Sequence, residues 1–220
     1  FEVITQNVAE NRPNVILIAR GSGGGKSLMF NAHTDTVGVA DMDDPFKPVL
    51  QDGRVYGRGA YDMKGSLVAC MLALKNAQKM SLKGDVILTA VVDEEYASIG
   101  TKGIINEWNQ WSADAVIVTE PTELEISIAH KGFVWLEIET FGKAAHGSRP
   151  YLGVDAIAKM GKILVRLEEL DLQLRANPTH DLLQSGSLHA STIQGGEELS
   201  MYPAYCKLMV ERRTIPGETP

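Results

Sequence analysis

Three short segments of this 220-residue chain hold side chains that bind metal ions or move protons. They are His33-Thr34-Asp35, Gly59-Ala60-Tyr61-Asp62-Met63-Lys64 and Asp93-Glu94-Glu95-Tyr96. A fourth, Thr119-Glu120-Pro121-Thr122, adds one more carboxylate. Imidazole nitrogens and carboxylate oxygens are the ligands that hard-to-borderline divalent ions take. Each segment follows an apolar run that reads as a strand, or the turn beyond one. Together they predict a carboxylate-rich hydrolase site with two metal ions about 3.5–4 Å apart. Three carboxylates and a hydroxide would balance two divalent cations. Zinc suits the mixed set best, with cobalt or manganese as alternatives.

Each member also has a plainer reading. His33 and Asp35 are two apart, so in extended chain they share a face. Asp35 is then expected to accept a hydrogen bond from the ring nitrogen of His33 that faces away from the metal, fixing the tautomer. The plainer reading is a strand-end histidine held by a nearby acid. Asp62 stands in a glycine-rich turn before a helical pattern, where aspartate commonly caps a helix. A carboxylate bridging two metals from that turn is the functional reading, and the two roles are compatible. Glu94 and Glu95 could be a solvated loop. They follow a buried strand, however, at the end where open α/β sheets place their sites. Neighbours on extended chain point opposite ways, so one can bind metal while the other faces substrate as a general base. Glu120 precedes Pro121, which keeps its backbone extended, and can be a ligand by the same placement.

These residues need a scaffold, and the hydrophobic pattern supplies one. Val15 to Ile18 reads as a strand, Ser27 to Ala32 as a second and Gly53 to Gly57 as a short strand and turn. From Met63 to Met80, Leu67, Met71 and Leu74, with Val68 and Leu72, fit a helix face that also takes Cys70 as a buried small side chain. Val86 to Val92 is continuously apolar and β-branched, as in a strand buried on both faces. Thr101 to Trp108 reads as a short helix and Ala115 to Thr119 as another buried strand. Strands alternating with helices predict an α/β domain, its mixed sheet mostly parallel and flanked by helices. After Lys131 the character changes. Phe133 to Thr140 alternates, Asp155 to Leu170 is an amphipathic helix, and Ser187 to Gln194 and Ala204 to Arg212 are strands. That order predicts a second, α+β domain, with domains at 1–131 and 132–220.

Composition narrows the function. Hydrophobic residues make up 44%, charged residues 22%, and the net charge is −7. The acidic balance, without a basic stripe, argues against nucleic-acid binding. No apolar run is long enough to span a membrane. The two cysteines, Cys70 and Cys206, make neither a zinc motif nor a disulfide framework. Gly21 to Ser27 suggests a phosphate loop, but the glycine needed five positions before Gly25 is Arg20. The stretch also leads into a strand, whereas a phosphate loop leads into a helix. It reads as a hairpin connection. Both ends read as cut: residue 1 is Phe, and Pro216 to Pro220 reads as a turn entering a helix capped by Thr219. The compartment, expected to be cytoplasmic, is therefore not read from a leader.

The motifs resemble those of a known family. Ala32 to Val37, Gly57 to Gly65, Asp93 to Glu95 and Glu120 to Thr122 resemble the signature blocks of the aminoacylase / acetylornithine deacetylase / succinyl-diaminopimelate desuccinylase metallopeptidases. Gly142-Lys143-Ala144-Ala145-His146-Gly147-Ser148-Arg149-Pro150 is similar to the motif of that family's inserted, ferredoxin-like dimerisation domain, and Glu211 to Gly217 to a later block. The blocks run in family order over nearly the whole chain. The resemblance implies that His33 and Glu120 bind one zinc and Glu95 the other, with Asp62 bridging. Glu94 would be the general base acting on a metal-bridged water. His146, reaching across a homodimer, would stabilise the oxyanion, and Arg213 would hold the substrate carboxylate. The implied substrate is an N-acyl amino acid or small peptide. Two departures stand out. The family's last zinc ligand, a histidine, falls beyond this chain and is not matched by His180 or His189, so the chain by itself is expected to be inactive. Ser200 stands where the family often has Asn. The other class kept open is a non-catalytic binding or dimerisation protein on the same scaffold, for which the last ligand would be missing altogether.

Overall fold

Strands β1 (Glu2–Ala9) and β2 (Arg12–Ala19) form an antiparallel hairpin at one side of a five-stranded sheet in the computed structural model, which describes residues 1–218. β3 (Leu28–His33) follows, then a small hairpin of β4 (Val49–Gln51) and β5 (Arg54–Tyr56). A wide turn over Ala60–Lys64 leads into helix α1 (Gly65–Ala77), then β6 (Val86–Val91). Helices α2 (Ile99–Asn106) and α3 (Trp108–Trp111) precede β7 (Ala115–Val118). The sheet order is β1-β2-β6-β3-β7. β3 pairs in parallel with β6 and β7, whereas β1–β2 and β2–β6 are antiparallel. Only β2 runs against the others, so the sheet is mixed, with parallel pairing confined to the β6-β3-β7 side.

Both faces of this sheet are covered over its central strands. Ile16, Ile18, Met29, Ile87 and Val91 pack with Ile104 of α2 and Trp111 of α3. On the other face Ala32, Val86 and Leu88 pack with Cys70 and Leu74 of α1 and with Met63. β6 is buried at every position because it lies between β2 and β3 and between the two helical layers. Full burial of a side chain such as Leu88 contributes about 1.5–3 kcal/mol. The path from β3 through α1 to β6, and then through α2 and α3 to β7, places the carboxyl ends of three adjacent parallel strands at one sheet edge. The loops that leave those ends carry the candidate ligands.

Several local expectations change. The glycine-rich stretch is no hairpin: β6 lies between β2 and β3. The stretch instead crosses the start of β6, with the Ser22 and Gly23 amides donating to the carbonyls of Leu82 and Lys83. Gly25 passes so close to Lys83 and Gly84 that a Cβ would meet them at 2.5 Å. β7 is an exposed edge strand that pairs only with β3 among the described residues, not a buried one. The helix expected over 101–108 is divided between α2 and α3. On α1, Leu67, Cys70 and Leu74 pack inward while Val68, Met71 and Leu72 are exposed.

Residues Phe1–Glu125 and Ile126–Pro220 form separate compact units. In the second, β8 (Gly132–Phe141), helix α4 (Ala156–Ala176), β9 (Ser187–Gly195) and β10 (Tyr205–Thr214) build an antiparallel sheet of order β8-β10-β9. Asp155 caps α4 by accepting from the Ala158 amide at 2.8 Å. Ala156 and Met160 of α4 pack on Leu188, Cys206, Leu208 and Val210. The helix start expected at Thr219 and Pro220 lies outside the described residues. No helix among the described residues is long and apolar enough to cross a membrane.

Candidate metal centre

His33 ends β3 and is almost wholly buried, 1% exposed. Its ring is fixed on both sides. Nδ1 lies 3.0 Å from the backbone carbonyl of Asp35, and Nε2 lies 3.0 Å from Asp62 Oδ1. Nε2 is also 3.8 Å from Glu120 Oε1 and 3.9 Å from Glu94 Oε2. The sulfur of Met63, fully buried, accepts the His33 amide at 3.1 Å. The structure thus brings His33, Asp62, Glu94, Glu95 and Glu120 together. Ligand atoms of His33, Asp62 and Glu95 lie within 4.8 Å of one another, as do those of His33, Glu94 and Glu120.

Asp35 works differently from the sequence expectation. Its carbonyl, rather than its carboxylate, approaches the His33 ring at hydrogen-bond distance; the carboxylate is 3.6 Å away. The two carboxylate oxygens accept the amides of Glu94 (3.2 Å) and Glu95 (3.1 Å) instead. One residue therefore orients the histidine with its backbone and the glutamate turn with its side chain. Asp62 does not cap α1. Its backbone is extended, at φ −116° and ψ 102°, and its carboxylate goes to His33. The following peptide, Asp62–Met63, is cis. Neither the Asp35 clamp nor the sulfur beneath His33 has a signal in the sequence, because both depend on contacts between distant segments.

The electrostatics suit a cation. Burial, together with the carboxylates of Glu94, Asp62 and Glu95, pushes the Glu120 carboxyl up to about 7 against the opposing pull of His33. Burial likewise raises Glu94, opposed by His33 and assisted by Glu95, Asp35 and Asp62. For His33, burial acts against the charged ring. The Asp62 hydrogen bond and the carboxylates of Glu120, Glu94 and Asp35 outweigh it and raise its pKa. Without metal the cluster therefore keeps protons that isolated groups would have lost. One imidazole with four carboxylates and no thiolate matches the donors that zinc, manganese and cobalt accept.

A pH dependence follows. A carboxyl whose folded pKa lies above its unfolded value makes the fold less stable as pH rises from the unfolded value through the folded one. For Glu120 that window runs from the ordinary 4.5 to about 7. The raised histidine adds stability below its unfolded pKa and loses it as pH climbs through the folded value, so both act in the same direction. Asp85, Asp114 and Asp171, all lowered, act in the opposite sense, but only below the ordinary 3.8. In chelator, Tm should fall between pH 5 and pH 8. Added zinc should raise Tm more at the higher pH and release protons on binding. A chelator-treated Tm that climbs across this range would contradict the cluster's electrostatics.

His146 and Arg213 belong to the second unit. The His146 segment is held against residues 200–202 by the Gly147 amide donating to Ser200 (2.7 Å) and the Tyr202 amide donating to Ala145 (2.8 Å). The His146 ring is exposed, with Nδ1 2.8 Å from the Ser148 hydroxyl. Arg213, on β10, pairs with Glu211 at 3.0 Å and lies 5.6 Å from the centre of the Phe133 ring.

Comparison with known proteins gives these geometries a context. The model of peptidase family M20/M25/M40 matches residues 29–204. Acetylornithine deacetylase of Myxococcus xanthus is 35% identical over 211 residues, covering 94% of this chain and 55% of that protein. The acetylornithine deacetylase of Klebsiella pneumoniae (strain 342) is 32% identical, covering all of this chain and 58% of its own length. The chain thus spans little more than half the length of these curated relatives. Among solved structures, an M20 family metallo-carboxypeptidase from Sulfolobus solfataricus superimposes with a TM-score of 0.66 at 16% identity, covering 100% of this chain and 65% of that one. A di-peptidase from Saccharomyces cerevisiae gives 0.68 at 15% identity, covering 94% and 57%. At these identities the two structures speak for the fold.

Proposed function

The chain belongs to peptidase family M20/M25/M40, and from that membership we propose that it carries the metal centre of an amide hydrolase acting on an N-acyl amino acid or small peptide. The observation that carries this reading is the buried His33 ring with the carboxylates of Asp62, Glu94 and Glu120 within 3.0–3.9 Å of its Nε2. His33 and Glu120 would hold one zinc, Glu95 the other, and Asp62 would bridge them. Cobalt or manganese could take the same donors. Bound there, the metal supplies Lewis acidity, making water more acidic and polarising the amide carbonyl.

The protein's own groups supply the rest. Glu94, raised by burial above the ordinary glutamate value, would be the general base: it takes the proton of the attacking water and returns it to the leaving amine. Asp35 holds the Glu94 and Glu95 amides, keeping the two side chains in register with His33. His146 would donate to the developing oxyanion from a neighbouring subunit of a homodimer, with the second unit as the dimerisation domain. Arg213 would bind the substrate carboxylate, exchanging part of its pairing with Glu211 for it. Cytoplasmic amino-acid metabolism is the proposed setting, with acetylornithine-like substrates first among those to try.

The test is a screen of acetyl-, succinyl- and peptide-linked amino acids, with metal analysis of the same fraction. By the proposed assignment, His33, Asp62 and Glu120 complete one site, while Asp62 and Glu95 only partly fill the other. The 220-residue chain should therefore hold one zinc tightly, the second weakly, and turn over no amide. A longer form of the protein carrying a further ligand should hold two and hydrolyse. Two tightly held zincs with turnover in the short chain would point to another ligand, such as His130. A fully loaded longer form that cleaves none of these amides would favour the binding-protein reading.

A further inference from the structure

The turn that carries Glu94 and Glu95 is gripped from behind by residues on the far side of β6. Asp93 is 7% exposed, and its carboxylate lies 2.5 Å from the Arg12 guanidinium at the start of β2. Its backbone is left-handed, at φ 64°, a conformation that aspartate tolerates better than most residues. The Asp93 carbonyl accepts the Ser98 amide at 2.6 Å and the Ala97 amide at 3.2 Å, closing the turn on itself. Two residues along β2, Asn14 is completely buried, and all of its side-chain hydrogen bonds reach this region or its support. Its oxygen accepts the Val92 amide at 3.1 Å, just where the β2–β6 ladder has ended at Val15 and Ala90. Its nitrogen donates to the Gly100 carbonyl and to Gln6 Oε1, both at 2.8 Å. Gly100 sits so close that a Cβ there would lie 2.4 Å from the Val92 carbonyl and 2.6 Å from the Asn14 oxygen.

We propose that Arg12 and Asn14 are positioning residues for the carboxylate cluster, fixing through Asp93 and Val92 the turn that aims Glu94 and Glu95 at His33. The inference rests on the proposed roles of those two glutamates. Asn14 stands in for the missing ladder partner at the end of β6 and ties it to the first turn of α2. Arg12 holds Asp93 in the conformation from which the next two residues turn towards the site. Asp35 then completes the grip from the front. Positioning of this kind is sensitive: a displacement of about 1 Å at a reacting group costs on the order of 10²-fold in rate.

The test uses Arg12→Ala and Arg12→Lys in the 220-residue chain, read by amide hydrogen exchange at Glu94 and Glu95 and by zinc affinity. Arg12 is half exposed, so its truncation leaves the core intact. Arg12→Ala should speed exchange at those two amides at least tenfold and weaken zinc at least tenfold, with exchange in β1 and β3 unchanged. Arg12→Lys, which keeps the charge, should recover most of both. Asp93→Asn, which keeps the shape and loses the ion pair, should reproduce the alanine result. Unchanged exchange at Glu94 and Glu95 overturns the proposal. So does a uniform rise across the whole sheet, the mark of a merely structural contact. If the unaltered chain takes up no zinc, the proposed function fails while the exchange measurement still decides the positioning role.

Discussion

Replacing Glu94 by alanine should lower amide hydrolysis by about 10²–10⁴-fold in a catalytically competent form of the protein, the usual cost of losing a general base. Metal content should stay near that of the unaltered protein. Burial raises Glu94 above the ordinary glutamate value, the direction that suits the proposed base. The structure also supplies the rival outcome. Glu94 shares with His33 and Glu120 one of the two close-set groups of potential ligand atoms found among the described residues. If Glu94→Ala loses zinc together with turnover, Glu94 is a ligand and its role has been exchanged with that of Glu95. Metal analysis after gel filtration, beside initial rates, separates the two.

His33→Ala should abolish tight metal binding. Among the described residues His33 is common to both close-set groups, so its loss disturbs each of them. The drop in affinity should exceed the roughly 10–100-fold that follows removal of a residue orienting a ligand. Asp35→Ala provides that comparison: it removes the carboxylate that accepts the Glu94 and Glu95 amides, keeps the backbone carbonyl beside His33, and deletes no proposed ligand. Competition with a chromogenic chelator would rank the variants, and thermal melts would check that the alanine at this buried site still folds. Zinc held at unchanged stoichiometry by His33→Ala would remove the histidine from the centre.

The two expected results draw on different sources. That His33, Glu94, Glu95 and Glu120 would gather at one sheet edge was legible along the chain because each sits at or just beyond the end of an apolar strand pattern. His33 follows Leu28 to Ala32, Glu94 and Glu95 follow Val86 to Val91, and Glu120 follows Ala115 to Val118. A parallel arrangement brings such positions to one sheet edge whatever the intervening helices are. Local pattern likewise made α4 legible as far as Leu170, short of its end at Ala176, and the alternation of β8, since burial periodicity acts over a few residues.

Only the tertiary structure decided the neighbours. A glycine turn between two strands has the same local pattern whether those strands pair or a third comes between them. Here β6, more than fifty residues later in the chain, took the place beside β2 that a hairpin would have given to β3. The apolar run of β7 looked like a buried strand because hydrophobicity does not reveal whether a strand lies at an edge. Asp35 is the sharpest case. Spacing placed it beside His33, and it is there, yet its backbone carbonyl approaches the ring and its carboxylate grips two amides brought in by β6. Local spacing fixes which face a side chain shares; which of its atoms meets which partner depends on segments brought together only when the sheet assembles.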